Sequence, residues 1–164
     1  MEQIKSFQID HTKLQRGLYV ARQDKMDGHT VTTFDIRVCR PYFEQTMDAP
    51  AIHTIEHLGA TFLRTMSYVS GKVIYFGPMG CQTGFYLIVD GKQEVGDVKG
   101  VVREMFAWIS TYEGQIPGAS KKECGNADMH DLTEARRVAH QFYNEVLLNL
   151  DETNTVYPVT RETV

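Results

Sequence analysis

The stretch HTIEHLGATFLR, residues 53–64, constrains the fold of this chain more than any other. Wound as an α-helix, it places His53, Glu56 and His57 on a polar stripe beside a continuous apolar stripe. The apolar stripe consists of Ile52, Ile55, Leu58, Gly59, Phe62 and Leu63. A helix of this kind has to bury its apolar stripe in a core, so its polar stripe lies at the edge of that core.

Patterns along the rest of the chain predict the other elements. An Asp-Gly pair at residues 27–28 separates two β-rich runs and predicts a hairpin. Strands are predicted over residues 17–24 and 30–39, and on both sides of a Gly-Pro-rich turn within residues 72–91. Helices are predicted over residues 47–67, 94–114 and 131–150, and the polar tail after Leu150 is expected to fray. We therefore expect an α+β fold, an antiparallel β-sheet packed against α-helices, in a single domain spanning residues 1–164.

Composition and charge exclude several classes of protein. The chain is 42% hydrophobic and 23% charged, which is ordinary for a globular domain. A formal net charge of −4 argues against a nucleic-acid binder, because such proteins usually present a basic face. We find no apolar run of membrane-spanning length and no signal peptide, so a cytoplasmic location is expected. Three cysteines, an odd number at uneven spacing, do not indicate a disulfide framework.

The two histidines of the predicted helix suggest a metal site. Residues four apart face the same way on a helix, so His53 and His57 can direct two imidazoles at one point. Glu56 can border that point without being a ligand, and the order H-x-x-E-H is that of the inverse zincins. The simpler interpretation is a half-buried polar flank of an ordinary amphipathic helix.

A catalytic metal site needs a third protein ligand, and the three cysteines are candidates. Cys124 follows Lys121 and Lys122 in a polar loop, and nearby positive charge favours the thiolate that binds metals. His130 and Asp128 are weaker candidates in the same loop. Two histidines with one cysteine suit Zn(II), Fe(II) or Co(II), and the spacing does not choose among them.

Cys81 stands in the glycine-rich stretch GPMGCQTG, which permits a tight turn and the close approach of another molecule. Presented there, a cysteine can act as a nucleophile or as a proton-transfer group. A different combination, His53, His57, Cys81 and Cys124, would form a closed Cys₂His₂ structural zinc site that needs no substrate. Two alternatives to a cysteine-based enzyme therefore stay open, a non-catalytic zinc module and a metallohydrolase of the inverse-zincin type.

Several motifs together are far more specific than H-x-x-E-H alone. HTIEHL, GPMGCQTGFYL, FDIR and ECG stand in the order and spacing found in the S-ribosylhomocysteine lyases, the LuxS family. SFQIDHTKL also resembles the N-terminal segment of that family. The resemblance runs from about Ser6 to the last predicted helix, so it covers nearly the whole chain.

The resemblance implies an α+β homodimer with two active sites at the subunit interface. Carried over by position, the metal ligands would be His53, His57 and Cys124. The metal would be Fe(II), with Zn or Co as possible replacements. The paired acid–base groups would be Cys81 and Glu56, and the substrate pocket would include Ser6, His11 and Arg37. Arg37 would either orient Cys81 or hold a substrate oxygen, unless it only forms a surface pair with Asp35.

The implied reaction converts S-ribosyl-L-homocysteine to L-homocysteine and 4,5-dihydroxy-2,3-pentanedione, the precursor of autoinducer-2. The metal would polarise the substrate carbonyl, two groups would move protons to shift that carbonyl, and homocysteine would leave by β-elimination. The same step clears waste from the activated methyl cycle.

One segment departs from the resemblance: Tyr75-Phe76-Gly77 precedes Pro78 where many family members have Asp-Ile-Ser. Contacts to the homocysteine end are therefore not carried over, and Tyr75 leaves open a degenerate member that binds without reacting.

Overall fold

The computed structural model describes residues 9–158. Its strands are β1 (Gly17–Met26), β2 (His29–Arg37), β3 (Val73–Pro78) and β4 (Gly84–Asp90). Its helices are α1 (Ala49–Thr65), α2 (Val95–Thr111) and α3 (Leu132–Glu145). The strands form one antiparallel sheet in the order β1-β2-β4-β3. The predicted α+β fold is confirmed, and within the described range no helix is long and apolar enough to cross a membrane.

One face of the sheet and the three helices enclose a single core. Phe34 and Ile36 of β2 are fully buried on this face, and Phe76 of β3 stacks on Phe85 of β4. The apolar stripe predicted for α1 is buried at all six positions. Asp48 caps α1 by accepting a hydrogen bond from the Ala51 N–H at 2.8 Å. Burial of this stripe fixes which side of α1 faces away from the core, and that side carries the histidines.

The direction in which α1 crosses β3 places its polar stripe. Arg64, near the end of the helix, donates to the Ile74 carbonyl at the start of the strand, at 3.2 Å. Gly59 lies against the Phe76 ring, so the helix runs antiparallel to the strand. A helix rises ~1.5 Å and a strand ~3.3 Å per residue. Along the helix axis, Glu56 therefore lies level with the end of β3.

Gly59→Ala tests this close approach. A Cβ at position 59 would overlap the Phe76 ring, which is buried and held by its stack on Phe85, so the ring has no free space to move into. Alanine favours a helix over glycine by ~1 kcal/mol, but overpacking a rigid core costs typically 1–3 kcal/mol, about as much or more. We expect a net loss of about 1 kcal/mol in the free energy of unfolding, measured by urea denaturation. An equal or higher stability would contradict the close contact between α1 and β3.

Two predictions near the C-terminus were wrong. α3 ends at Glu145 instead of Leu150, because the Asn149 side chain bonds the carbonyls of Asn144 and Glu145 and a short 3₁₀ turn follows. The tail after Leu150 does not fray over residues 151–158. Its Asn154 carbonyl accepts a hydrogen bond from the Leu18 N–H of β1 at 3.0 Å. The described part of the tail is thus packed against the sheet.

Candidate active site

Four potential metal ligands converge between α1 and the loop of residues 114–130. The Nε2 atoms of His53 and His57 lie 3.0 Å apart, and the Cys124 sulfur lies 3.4 Å from the His53 Nε2. His130 completes the group, and the four ligand atoms lie within 4.8 Å of one another. Side chains 71 residues apart therefore meet at one point, and this His/Cys cluster could hold a metal ion.

Backbone carbonyls orient the first two imidazoles. The His57 Nδ1 bonds the Pro117 carbonyl at 2.7 Å, and the His53 Nδ1 bonds the Met129 carbonyl at 2.8 Å. Since a carbonyl only accepts hydrogen bonds, each Nδ1 carries a proton, which leaves Nε2 as the nitrogen that can bind a metal. Bonds of this kind fix the tautomer and the ring orientation of metal-binding histidines. The donor set and its orientation therefore fit a metal ion.

His130 is held differently. The Thr54 hydroxyl gives its proton to the Pro50 carbonyl at 2.8 Å, so it accepts from the His130 Nδ1 at 3.2 Å. The His130 Nε2 is buried and has no hydrogen-bond partner among residues 9–158. Its ring stacks on His53 with the centroids 4.1 Å apart and the planes 15° apart. Burial lowers the pKa of this imidazole.

Cys81 lies outside this cluster, in the turn that joins β3 to β4. The turn is closed by the Gln82 N–H bonding the Met79 carbonyl at 2.9 Å, with Gln82 at a positive φ of 61°. The Cys81 sulfur lies 3.1 Å from the Thr83 hydroxyl and 3.8 Å from Arg37 Nη1. Burial opposes ionisation, but the Thr83 hydrogen bonds and the Arg37 charge outweigh it and lower the pKa of the Cys81 thiol.

Arg37 is not part of a surface ion pair. Its side chain is 3% exposed and that of Asp35 is 1% exposed, and the two are joined at 2.6 Å. Arg37 also donates to the Thr83 hydroxyl at 2.6 Å. Of the two roles foreseen for Arg37, these contacts favour orienting Cys81. Thr83 was not among the predicted site residues, although a hydroxyl two residues after the cysteine in the same turn was a signal for it.

The other predicted site residues are less connected. Glu56 is half-buried, three residues before the Gly59 that contacts Phe76 of β3. His11 is half-buried, and its Nδ1 bonds the Ile9 carbonyl at 2.9 Å. Ser6 lies outside the described residues. Cys39 is buried, and burial raises the pKa of its thiol, so it is expected to react more slowly than Cys81.

The departure at residues 75–77 has a structural explanation. The Tyr75 ring and hydroxyl lie over Gly77, in the space that a Cβ at position 77 would need. A serine there would clash with the tyrosine as it is placed. Tyr75 is 43% exposed, so its ring covers the end of β3 from the solvent side. The differences from Asp-Ile-Ser at positions 75 and 77 are therefore linked, because the small Gly77 makes room for the large Tyr75.

The thiol environments predict different alkylation profiles for the cysteines. Iodoacetamide reacts with the thiolate, whose fraction rises as the pH passes the pKa of the thiol. Because the pKa is lowered for Cys81 and raised for Cys39, we expect Cys81 to reach its maximal rate at a lower pH. Peptide mass spectrometry between pH 6 and 10 would measure the alkylation rate of each cysteine. At neutral pH we expect Cys39 to remain unmodified. Faster alkylation of Cys39 than of Cys81 would contradict the contacts described.

The closed Cys₂His₂ arrangement is not what the structure shows. The sulfur of Cys81 contacts Thr83 and Arg37, and it is His130 that joins the cluster of His53, His57 and Cys124. The thiol and the candidate metal ligands therefore form two separate groups. An arrangement of this kind suits a chemistry that uses a metal and a proton-transfer group together.

Comparison with known proteins identifies the family. A family model described as S-ribosylhomocysteinase (LuxS) matches residues 4–153. An S-ribosylhomocysteine lyase of Desulfotalea psychrophila is 52% identical over 158 residues, which cover 96% of this chain and 99% of that protein. The lyases of Clostridium beijerinckii and Borreliella burgdorferi are 49% and 47% identical over the same share of this chain, covering 99% and 100% of their own. The chain belongs to the S-ribosylhomocysteinase (LuxS) family.

Proposed function

We propose that this chain is an S-ribosylhomocysteine lyase, which releases L-homocysteine and 4,5-dihydroxy-2,3-pentanedione. The observation that carries the proposal is the separation of two groups, a His/Cys cluster and an activated thiol. The bond between C5 of the ribose and sulfur is not labile until a carbonyl at C3 makes the proton on C4 acidic. A lyase of this kind needs one group to polarise a carbonyl and another to move protons.

His53, His57 and Cys124 would hold the metal, which we propose to be Fe(II), with Zn or Co as possible replacements. When bound, the ion would supply Lewis-acid polarisation of the substrate carbonyl and so acidify the neighbouring C–H. His130 would support the site by packing on His53, since its ring is stacked and anchored to Thr54.

The Cys81 thiolate would then move protons along the opened ribose. It would take the proton from C2 and return it to C1, which shifts the carbonyl from C1 to C2. A second transfer, from C3 to C2, would bring the carbonyl to C3. Removal of the C4 proton would break the C5–S bond, and the electron pair would leave with sulfur as the homocysteine thiolate. Glu56, half-buried on α1, would deliver or accept the protons of the hydroxyl oxygens.

Arg37 would keep Cys81 ionised and in place through the Thr83 hydroxyl. Ser6, His11 and Arg37 would line the substrate pocket, and some of them would reach it from the partner subunit of a homodimer. The family resemblance supports that assembly, and His11 makes its ring hydrogen bond to Ile9 within its own segment. A cytoplasmic location stays a prediction, in keeping with the three free cysteines.

The test is release of free thiol from S-ribosylhomocysteine under anaerobic conditions. Protein loaded with Fe(II) is expected to release one homocysteine per substrate consumed, and protein stripped by a chelator is expected to release none. Added Fe(II) should restore the activity of the stripped protein. Absence of release from metal-replete, folded protein would overturn the proposal and favour the binding-only member.

A further inference from the structure

Tyr157 connects the C-terminal tail to the buried charges behind Cys81. The family match ends at residue 153, so most of the segment of residues 151–158, including Tyr157, lies beyond it. Asn154 fixes it to β1 through the Leu18 N–H. Three residues later, the Tyr157 ring stacks on Tyr19 of β1 with the centroids 4.7 Å apart and the planes 8° apart. The tail therefore delivers one aromatic residue to a defined place on the sheet.

The hydroxyl of Tyr157 donates a hydrogen bond to Asp35 Oδ2 at 2.8 Å. Burial and the Asp35 charge raise the pKa of this phenol, so it stays protonated and remains a donor. Arg37 Nη2 bonds the same oxygen at 2.6 Å. The other oxygen, Asp35 Oδ1, is buried without a hydrogen-bond partner among residues 9–158. Tyr157 and Arg37 thus share one acceptor, and the tyrosine takes part of the carboxylate charge.

The sharing of Asp35 affects the thiol at the far side of Arg37. The guanidinium faces Asp35 with Nη2 and faces Thr83 and Cys81 with Nη1. A nearby cation favours a thiolate, whereas a nearby carboxylate disfavours it. When Tyr157 donates to Asp35, less of the carboxylate charge opposes the field of Arg37 at the Cys81 sulfur. Without that donor, Asp35 would cancel more of the field.

We propose that Tyr157 is a positioning residue for the Cys81 thiolate, acting through Asp35 and Arg37. The contacts form one continuous series from the tail to the sulfur, in which Asp35 and Arg37 are buried and Tyr157 is half-buried. The consequence for turnover rests on the proposed role of Cys81 in the lyase reaction. The effect on thiol ionisation does not, because it can be measured without substrate.

The experiment compares Tyr157→Phe with Tyr19→Phe. Both remove one hydroxyl from the same pair of stacked rings, but the Tyr19 hydroxyl donates to the Gln15 carbonyl instead of Asp35. The readout is the pH dependence of Cys81 alkylation by iodoacetamide, followed on the Cys81 peptide. In Tyr157→Phe we expect the profile to move to higher pH, with a roughly threefold lower rate at pH 7. In Tyr19→Phe we expect the wild-type profile.

Folding and activity are controlled separately. Circular dichroism checks that each variant is folded at the assay temperature, and kcat is expected to fall in Tyr157→Phe with little change in KM. If Tyr157→Phe does not fold, 3-fluorotyrosine placed at position 157 keeps ring and hydroxyl. Its more acidic phenol is a stronger donor, so Cys81 alkylation at pH 7 should then rise. The proposal would be overturned by an unchanged alkylation profile in folded Tyr157→Phe, or in folded protein with 3-fluorotyrosine at position 157, whatever the lyase activity.

Discussion

Cys81→Ala is expected to lower the turnover of S-ribosylhomocysteine by about a thousandfold or more and to leave the metal content unchanged. A positioned acid–base group contributes typically 10²–10⁴-fold, about a thousandfold at the middle of that range, and Cys81 would serve in several successive proton transfers. Metal content should not change, because the sulfur contacts Thr83 and Arg37 and lies outside the His/Cys cluster. Thiol release and metal analysis on the same preparation would measure both quantities.

Cys39→Ala is the matched control, since it also removes one thiol. Cys39 is buried and lines a cavity of about 290 Å³ between the β2–α1 loop and α3, away from the proposed chemistry. We expect near wild-type turnover from this variant. Loss of metal in Cys81→Ala would instead indicate that the thiol is a ligand, and full turnover in that variant would remove it from the mechanism.

The parts of the site that the sequence predicted are those set by local periodicity. His53 and His57 share one face of α1 because they are four residues apart, and Asp48 caps that helix as expected. The Asp-Gly hairpin was predicted for a similar reason, and Asp27 and Gly28 both have positive φ. In each case the spacing or order of neighbouring residues determines their relative position once the helix or turn forms.

Long-range contacts explain what the sequence did not predict. Tyr157 and Asp35 are 122 residues apart, and nothing in the polar tail signals that one of its residues reaches a buried carboxylate. Cys124 was a candidate because of its lysine neighbours, but only the folded loop shows its sulfur beside His53. His130 was considered a weak ligand candidate, and its stacking depends on a hydrogen bond to Thr54, 76 residues away.

The antiparallel crossing of α1 and β3 relates the two groups of the site. His53 and His57 lie on the side of the helix that meets the 114–130 loop. Glu56 lies between them in sequence, about 100° round the helix from His57, and is level with the end of β3. One helix thereby carries two candidate metal ligands and a carboxylate that need not be a ligand. The order H-x-x-E-H permits this division without an insertion.

Cys124→Ala and His130→Ala are expected to differ strongly in metal affinity. Structural zinc binds with about 10–16 kcal/mol over four ligands, so losing one ligand costs roughly 2.5–4 kcal/mol, about a hundredfold to a thousandfold. We expect that loss for Cys124→Ala. For His130→Ala we expect metal affinity to fall about tenfold or less, because the His130 ring packs on His53 instead of binding the metal. A loss of that size is near the lower end of the effects of removing a residue that supports a metal ligand.

Competition with a chromophoric chelator would measure both affinities, and the d–d spectrum of the Co(II)-loaded protein would report the coordination. A three-ligand site predicts an unchanged spectrum in His130→Ala, whereas a four-ligand site predicts a clear change with loss of an imidazole. Equal losses of affinity in the two variants would mean that His130 is a ligand. The cluster would then be closed, with no position left for a substrate oxygen, and the non-catalytic zinc module would become the better account of this site.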